Sequence, residues 1–393
     1  MNEKKQCMTT QREASLCRCC GAALAAKRLL TLVGMPGGAQ NFPDMAGLAL
    51  DTPVDLELVQ CTACGLVQLT GEPVDYWRSV IRAVGVSKDM LAFRQEQIKA
   101  FVSRHKLTGC PAMEFGSGDG AFLSVLMEAG LEAYGLEYAQ DEVNRCIQKG
   151  LRAYQGFALP GAPVPGGPYD AFFIFSVLEH VPVPRDFLAS VRESLSDKAV
   201  GIIEVPNFDM ILQKGLFAEF IIDHLFYFTS ETLTRTLENN GFDVLSCAPV
   251  WHDYILSAEV RKRSHITPTH FMARKAEVIQ AFAHFFAQHK RVAVWGAGHQ
   301  AFTLLAMVPD TNPIAYIVDS APFKQGRYSP VTHIPVVHPE KLLSDPVRAL
   351  IVIGGSYSEE IAEIASNQYK QNNIAIFSGA SLVRIREGLP SGS

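Results

Sequence analysis

The sequence predicts an α/β protein in three parts: a small metal-binding domain at residues 1–75, a Rossmann-like central domain at 76–264 and a second Rossmann-like domain at 265–393. Three observations carry this. The chain has 393 residues, against roughly 100–200 for one domain. Cysteines are paired near the N-terminus, as Cys17-Arg-Cys-Cys20 and Cys61-Thr-Ala-Cys64. Downstream, apolar strand-like runs alternate with helix-like segments in two separate stretches, the pattern of parallel sheets covered by helices.

Composition narrows the class. With 48% hydrophobic and 19% charged residues, the chain folds around cores rather than staying disordered. Thirty-five Lys and Arg against 40 Asp and Glu give a formal charge of −5. That balance argues against broad contact with nucleic-acid backbones. No apolar run reaches the ~18 residues of a membrane helix, and Met-Asn-Glu-Lys-Lys-Gln at the start leads into no apolar stretch. The expectation is a cytoplasmic protein with neither a membrane nor a nucleic acid as its main partner.

The N-terminal part is read from its cysteines. Nine cysteines are an odd count, and without a secretory leader they do not form a disulfide framework. Cys17, Cys20, Cys61 and Cys64 instead supply four thiolates at knuckle spacing, with Gly21 and Gly65 directly after each pair. Such a set closes a tetrahedral Zn2+ site with no open position, so the ion is expected to be structural. Cys19 competes with its neighbours, but the x-x spacing favours Cys17 and Cys20. Cys7, Cys19, Cys110, Cys146 and Cys247 read as ordinary thiols.

A lead-in helix is expected around 87–101. Strands at 112–115 and 133–137 then alternate with helices at 121–129 and 140–149. Next come a strand at 169–175, a helix near 185–195 and a strand at 200–205, with a Pro- and Gly-rich loop at 159–168. Residues 265–290 read as a helical bridge. Beyond it, strands are expected at 291–295, 314–318, 349–353 and near 374–377.

The central domain carries a ligand loop. Glu114-Phe-Gly116-Ser-Gly118-Asp-Gly120 follows a short apolar strand and opens a helix, so the backbone turns sharply and a helix N-terminus faces the ligand. Glu137 ends the next strand, where a carboxylate can accept both hydroxyls of a ribose. Acids at both places suit a cofactor with ammonium and sulfonium groups and no phosphate. Ser176 and Leu178-Glu-His180-Val lie just past the next long strand. His180, and His224 in Asp223-His224-Leu-Phe-Tyr227-Phe-Thr, are candidates for proton removal near neutrality.

These segments resemble the class I S-adenosylmethionine-dependent methyltransferases. Nearly the whole chain resembles one family among them, the bacterial sugar C-methyltransferases that act on nucleotide-linked 4-keto-deoxyhexoses. Cys61-Thr-Ala-Cys64-Gly-Leu-Val-Gln-Leu carries that resemblance, as do Asp223-His-Leu-Phe-Tyr-Phe-Thr, Trp295-Gly-Ala-Gly, Asp319-Ser-Ala-Pro-Phe-Lys-Gln-Gly-Arg-Tyr-Ser-Pro and Thr332-His-Ile-Pro-Val. The resemblance implies an N-terminal zinc domain, a central methyltransferase domain and a C-terminal Rossmann-like domain. It implies His224 as the base, with Asp223 and His180 as its companions, and Tyr76 is a further candidate within reach of the acceptor pocket. Proton removal beside a ketone then gives an enolate that takes the methyl group. It further implies that Gly116, Gly118, Gly120, Glu114, Glu137 and Ser176 hold S-adenosyl-L-methionine.

The chain departs from the family at the acceptor side. Ile221-Ile222-Asp223-His224 stands where the family has Tyr-His-Glu-His, His299-Gln300 where its glycine loop continues Lys-Gly, and Gly354-Gly355-Ser356 where it has Ala-Trp-Asn. Methyl transfer is therefore expected to be retained, on a nucleotide-linked deoxysugar or on a related small metabolite that differs from the family's usual keto-sugar. O- or N-methylation of a different small molecule is the alternative, and an RNA methyltransferase is disfavoured by the acidic balance. In the last domain, Gly296-Ala-Gly298-His-Gln-Ala301 with Asp319 fits the dinucleotide fingerprint, so an NAD-dependent oxidoreductase is a rival. The resemblance implies instead that Gly296, Gly298 and Asp319 help to hold the nucleotide-linked acceptor, with Tyr227 as a further substrate residue. A domain kept only for packing is a third reading.

Overall fold

The computed structural model describes residues 16–40, 42–79, 86–371, 373–378 and 381–386; Cys7 lies outside them. The chain divides into two compact units, Met1–Ser264 and His265–Ser393.

In the first unit, β1 (Leu30–Met35), β2 (Val54–Gln60) and β3 (Val67–Leu69) form an antiparallel sheet with Cys61 and Cys64 in the β2–β3 connection. The helix α1 (Lys88–His105) leads into β4 (Pro111–Phe115), α2 (Ala121–Glu128), β5 (Glu132–Glu137), α3 (Gln140–Gln148) and β6 (Ala153–Gln155). Then follow β7 (Tyr169–Phe175), α4 (Pro184–Glu193), β8 (Leu195–Pro206), α5 (Phe208–Lys214), β9 (Phe226–Tyr227), α6 (Ser230–Asn239), β10 (Phe242–Val250) and β11 (Ile255–Lys262). Residues 159–168 belong to no helix or strand apart from a bridge between Leu159 and Ala162.

The small sheet is not self-contained. Its fourth strand is β9, paired through Val67 to Tyr227 and Gln68 to Phe226. Cys17, Cys19, Cys61 and Cys64 share one buried cluster with Leu225, Phe226, Phe228 and Leu233. Residues 1–75 were expected to stand as a domain, but so short a segment buries too little apolar surface alone. It completes both its sheet and its core with residues from the central block.

The large sheet runs β10-β11-β8-β7-β4-β5-β6. From β6 to β8 all pairs are parallel, while β11 and β10 are antiparallel additions. Central strands are covered on both faces, hence the buried apolar run Ala171-Phe-Phe-Ile-Phe175 of β7. The chain winds outward from β4 to β6 and then returns to β7, so a crevice opens at the carboxyl ends of β4 and β7.

The helix α1 packs against α2 and the sheet, and its Leu91 reaches the cavity in this crevice. Ser87 caps it by accepting the Met90 amide, and Lys106 ends it in left-handed conformation. Ile98, Phe101 and Val102 join Phe122, Val125 and Phe173 in one core. Arg94 is buried with them, its Nη2 2.7 Å from Glu204 Oε2 on β8.

The second unit contains α7 (Thr269–Gln288), β12 (Val292–Trp295), α8 (His299–Met307), β13 (Ile314–Val318), β14 (Val336–Val337), α9 (Lys341–Ser344), β15 (Ala349–Val352), α10 (Ser358–Tyr369), β16 (Ile374–Ser378) and β17 (Ser381–Arg386). Its strand order, β14-β13-β12-β15-β16-β17, is Rossmann-like. Only β17 is antiparallel, and it closes the edge after the strand expected to be last. Among the described residues no helix is long and apolar enough to cross a membrane.

Candidate active site

A cavity of about 790 Å3 occupies the crevice of the first unit. Its glycine-loop side is formed by Gly116, Gly118, Asp119, Glu137, Tyr138, Phe157 and Ser176, and its far side by Ala39, Glu179, His180, Asp223, His224 and Tyr254.

The three glycines of the loop have different work, although all have positive φ. A Cβ on Gly116 would meet Val177 Cγ2 at 2.5 Å, and one on Gly120 would meet Leu151 Cδ1 at 2.3 Å. Those two serve close packing, and Gly120 does not line the cavity. Gly118 has nothing within 4 Å of its Cβ direction and lines the cavity, so it is the position where a ligand can approach the backbone. Glu137 Oε2 accepts the Gly118 amide at 2.9 Å and Oε1 the Ala139 amide at 2.9 Å. Burial pushes its carboxyl up, and the amides pull it partly back. Glu114 is buried in β4 beneath the loop and is not part of the cavity wall. Ser176 lines the cavity in left-handed conformation, φ 54°, at the end of β7. A strained non-glycine residue there is a common mark of a functional edge.

On the far side two turns are locked together. His180 Nδ1 lies 2.8 Å from the Asp223 carbonyl. A carbonyl only accepts, so Nδ1 carries the hydrogen and Nε2 the lone pair. The Leu225 amide donates to the Glu179 carbonyl at 2.8 Å in the reverse sense. The rings of His180 and His224 meet edge-on with centroids 4.8 Å apart. Burial, and then His180, push the His224 pKa down to about 3, while burial lowers His180. Both imidazoles are neutral.

Asp223 is buried, and its Oδ2 accepts the Ala39 amide at 2.8 Å. The Tyr76 hydroxyl is turned toward this carboxylate; burial and then Asp223 push the phenol up to about 12. Tyr76 stands behind Asp223 rather than on the cavity wall. Tyr227, expected to touch substrate, is buried in β9. Its hydroxyl donates to the Ile221 carbonyl at 3.2 Å and accepts the Ile221 amide at 3.1 Å. It braces the turn from behind instead.

Sequence reasoning passed over three wall residues. Glu179 lay inside the Leu178-Glu-His180-Val segment, where an acid between a leucine and a candidate histidine just past a strand end was the signal available. Tyr254, whose hydroxyl donates to Glu219 Oε2 at 2.6 Å, comes from the β10–β11 turn. Arg78, whose guanidinium lies 4.3 Å from the Trp77 ring centroid, comes from the short 3-10 turn Trp77–Ser79. Neither of these two had a spacing signal.

The cysteines converge. Cys17 Sγ is 3.7 Å from Cys64 Sγ, and Cys20 Sγ is 3.7 Å from Cys61 Sγ. All four sulfurs lie within 4.8 Å of one another. Zn–S bonds of about 2.3 Å put tetrahedral sulfurs about 3.8 Å apart, so the set fits a four-thiolate ion. Cys19 points away, 3.4 Å from Thr236 Oγ1.

In the second unit, Gly296 (φ 121°) ends β12, and a Cβ there would meet the Ile353 carbonyl at 2.2 Å. Gly298 begins α8 in extended conformation. The Asp319 carboxylate takes the amides of Ala297 and Ala321, each at 2.9 Å, and Lys324 Nζ at 2.8 Å. Burial works to raise this carboxyl, but Lys324 and the amides hold it below the usual range. Ribose recognition by such an acid needs free oxygen lone pairs. Asp319 commits Oδ2 to the Ala297 amide and Lys324 and one side of Oδ1 to the Ala321 amide, which ties the glycine turn to the 319–325 loop and leaves little of it for a ligand.

Comparison with known proteins agrees with this architecture. A model described as a methyltransferase domain matches residues 90–247, and one described as the C-methyltransferase C-terminal domain matches residues 269–378. The C-methyltransferase NovU of Streptomyces niveus is 24% identical over 352 residues, covering 80% of this chain and 83% of that protein. Among solved structures, magnesium protoporphyrin IX methyltransferase from Synechocystis PCC 6803 with bound SAH is 18% identical, covering 48% of this chain and 93% of that one at a TM-score of 0.37. An S-adenosylmethionine-dependent methyltransferase from Clostridium acetobutylicum ATCC 824 is 11% identical, covering 47% and 94% at a TM-score of 0.38. With both domains matched in order, the chain is an S-adenosylmethionine-dependent methyltransferase, similar in both domains to C-methyltransferases.

Proposed function

We propose that this enzyme methylates carbon next to the ketone of a nucleotide-linked deoxysugar, or of a related small metabolite, with His224 as the base. The observation that carries the reading is the paired neutral imidazoles of His180 and His224 on the far wall of a cavity whose near wall is the Gly118–Glu137 loop. The similarity to a C-methyltransferase supports it.

Gly118 gives the cofactor its backbone approach, with Glu137 at its ribose and Gly116 and Gly120 shaping the turn. When bound, S-adenosyl-L-methionine supplies an electrophilic methyl group at its sulfonium. The work left to the protein is to make a carbon nucleophile, and His224 enters that step unprotonated. Its imidazolium is destabilised by burial, so proton uptake depends on the negative charge that develops on the acceptor as an enolate. Asp223 and His180 hold the His224 turn, and Tyr76 backs Asp223. General-base catalysis of this kind is worth about 10²–10⁴-fold.

We infer that Cys17, Cys20, Cys61 and Cys64 hold a structural Zn2+, and that the second unit, with its Gly296–Gly298 turn, helps to hold the nucleotide portion of the acceptor. A second reading, O- or N-methylation, draws on Ile221 and Ile222, apolar residues beside the catalytic turn. An already nucleophilic hydroxyl or amine would need less help there. The test is His224→Ala. Turnover should be abolished with S-adenosylmethionine affinity near wild type, whereas full activity would favour the second reading.

A further inference from the structure

We propose that Glu179 keeps its proton in the folded protein and acts as a positioning residue, capping His180 Nε2 as a neutral acid and thereby fixing the Asp223–His224 turn. The proposal deepens the reading of His224 as the base and rests on it only for its functional meaning.

Glu179 sits in the single turn that follows β7, 1% exposed, and neither carboxyl oxygen has a hydrogen-bond partner. Its Oε1 lies 3.9 Å from His180 Nε2, and among the described residues no Lys or Arg pairs with it. A buried carboxylate with no cation and no donor is costly, and such a group takes up a proton instead. The geometry supplies a use for that proton. His180 spends its Nδ1 hydrogen on the Asp223 carbonyl, so Nε2 is an acceptor in need of a donor. A carboxylic acid provides one where a carboxylate would not, and a side-chain shift of under about 1 Å closes the gap to hydrogen-bond length.

The chain of contacts then runs from Glu179 through His180 to Asp223 and on to His224. The reverse bond from the Leu225 amide to the Glu179 carbonyl makes the two turns one unit. The groups that face Glu179 agree with a neutral state. Burial disfavours charge on His180 and His224, Tyr254 across the cavity is bonded to Glu219, and Asp223 is an acid whose Oδ2 takes the Ala39 amide, so the turn offers Glu179 no cation. Burial pushes the Glu179 carboxyl up to about 8.

A metal ion is the competing way to compensate this carboxylate. The ligand atoms of Glu179, His180 and His224 lie within 4.8 Å of one another, with Glu179 Oε1 3.9 Å from His180 Nε2. Tetrahedral ligands around an ion at about 2.1 Å lie about 3.4 Å apart. But His180 Nε2 and a neutral Glu179 satisfy each other without an ion, and a metal count separates the two cases.

The test uses the full chain as wild type, Glu179→Gln and Glu179→Leu, with no acceptor present. Infrared spectra at pH 6 in heavy water should show a protonated-carboxyl band in wild type that is missing in both variants and that fades in wild type above about pH 8. Nitrogen-15 imidazole NMR should report His180 in its Nδ1–H form with a hydrogen-bonded Nε2 in wild type. Glutamine, which keeps a neutral donor, should preserve the hydrogen-bonded Nε2 shift, and leucine should move it to that of an unbonded lone pair. Titration with S-adenosylmethionine should give affinity within about threefold of wild type for the glutamine variant. Identical carboxyl bands in wild type and Glu179→Gln would overturn the proposal. So would a second metal equivalent per chain that the glutamine variant loses, since Glu179 would then be an ionised ligand. Because no readout involves methyl transfer, its failure is separable from failure of the C-methylation reading.

Discussion

Replacing Glu204 by Gln should destabilise the first unit by about 3–5 kcal/mol, the usual cost of stranding one partner of a buried ion pair. Arg94 and Glu204 are 2% and 1% exposed, joined at 2.7 Å, and Gln97 Nε2 donates to the second carboxylate oxygen at 2.6 Å. The guanidinium also lies 3.9 Å from the Phe175 centroid and 4.6 Å from that of Phe122. Those aromatic contacts persist in the variant and do not replace the lost charge. Denaturant unfolding of wild type, Glu204→Gln, Arg94→Met and the double variant forms a cycle. Each single variant should lose most of the stated energy, and the double variant should be closer to wild type than their sum. In a thermal scan the first unit's transition should fall by on the order of 10 °C, while that of the second unit stays put. Leu91 and Val86, on or beside the anchored helix, line the cavity, so S-adenosylmethionine affinity should weaken in step. A loss under about 1 kcal/mol in Glu204→Gln would refute the reasoning, because it would mean that water reaches the pair.

Other substitutions separate the remaining claims. Cys61→Ser should release the metal, and chelation of wild type should have the same effect, both read as loss of one equivalent of zinc by elemental analysis together with loosening of the β1–β3 and β9 sheet; Cys19→Ser should release none. Glu137→Ala should weaken S-adenosylmethionine binding by ~10-fold or more, about 1.4 kcal/mol, as expected for a lost charged hydrogen bond, and titration calorimetry will measure it. For Glu179 the folded pKa, about 8, is above the unfolded value of 4.5. Its stabilisation is therefore complete below about 4.5 and declines as the pH rises through about 8, by at most roughly 3 kcal/mol at pH 7. Glu179→Gln should accordingly gain stability over wild type with rising pH and match it near pH 4, as followed by Tm across that range.

Some of this architecture was written plainly in the chain. Central strands such as β7 are covered on both faces, so their apolar runs are continuous and their bounds are sharp. Cysteine pairs and the Glu114–Gly120 loop announce themselves because metal and cofactor geometry constrain spacing. What escaped was set by partners remote in sequence. Phe226–Tyr227 completes the small N-terminal sheet through backbone pairing with β3, and nothing local marks a two-residue strand. Gly118 and Gly120 look alike as letters, yet one faces the cavity and the other faces Leu151. Tyr227 and Asp319 are chemically apt for ligands, but the fold turns them onto Ile221 and Lys324. Glu179 was overlooked because its importance lies in having no partner, which no spacing reveals.

The most direct test of the central claim is solvent deuterium exchange into a nucleotide-linked 4-keto-deoxyhexose, with no methyl donor present, comparing wild type with His224→Ala. The account predicts exchange at the carbon beside the ketone in wild type, slowed by at least about 100-fold in the variant. Equal exchange in both proteins, or none in wild type with a sugar that it does methylate, would contradict it.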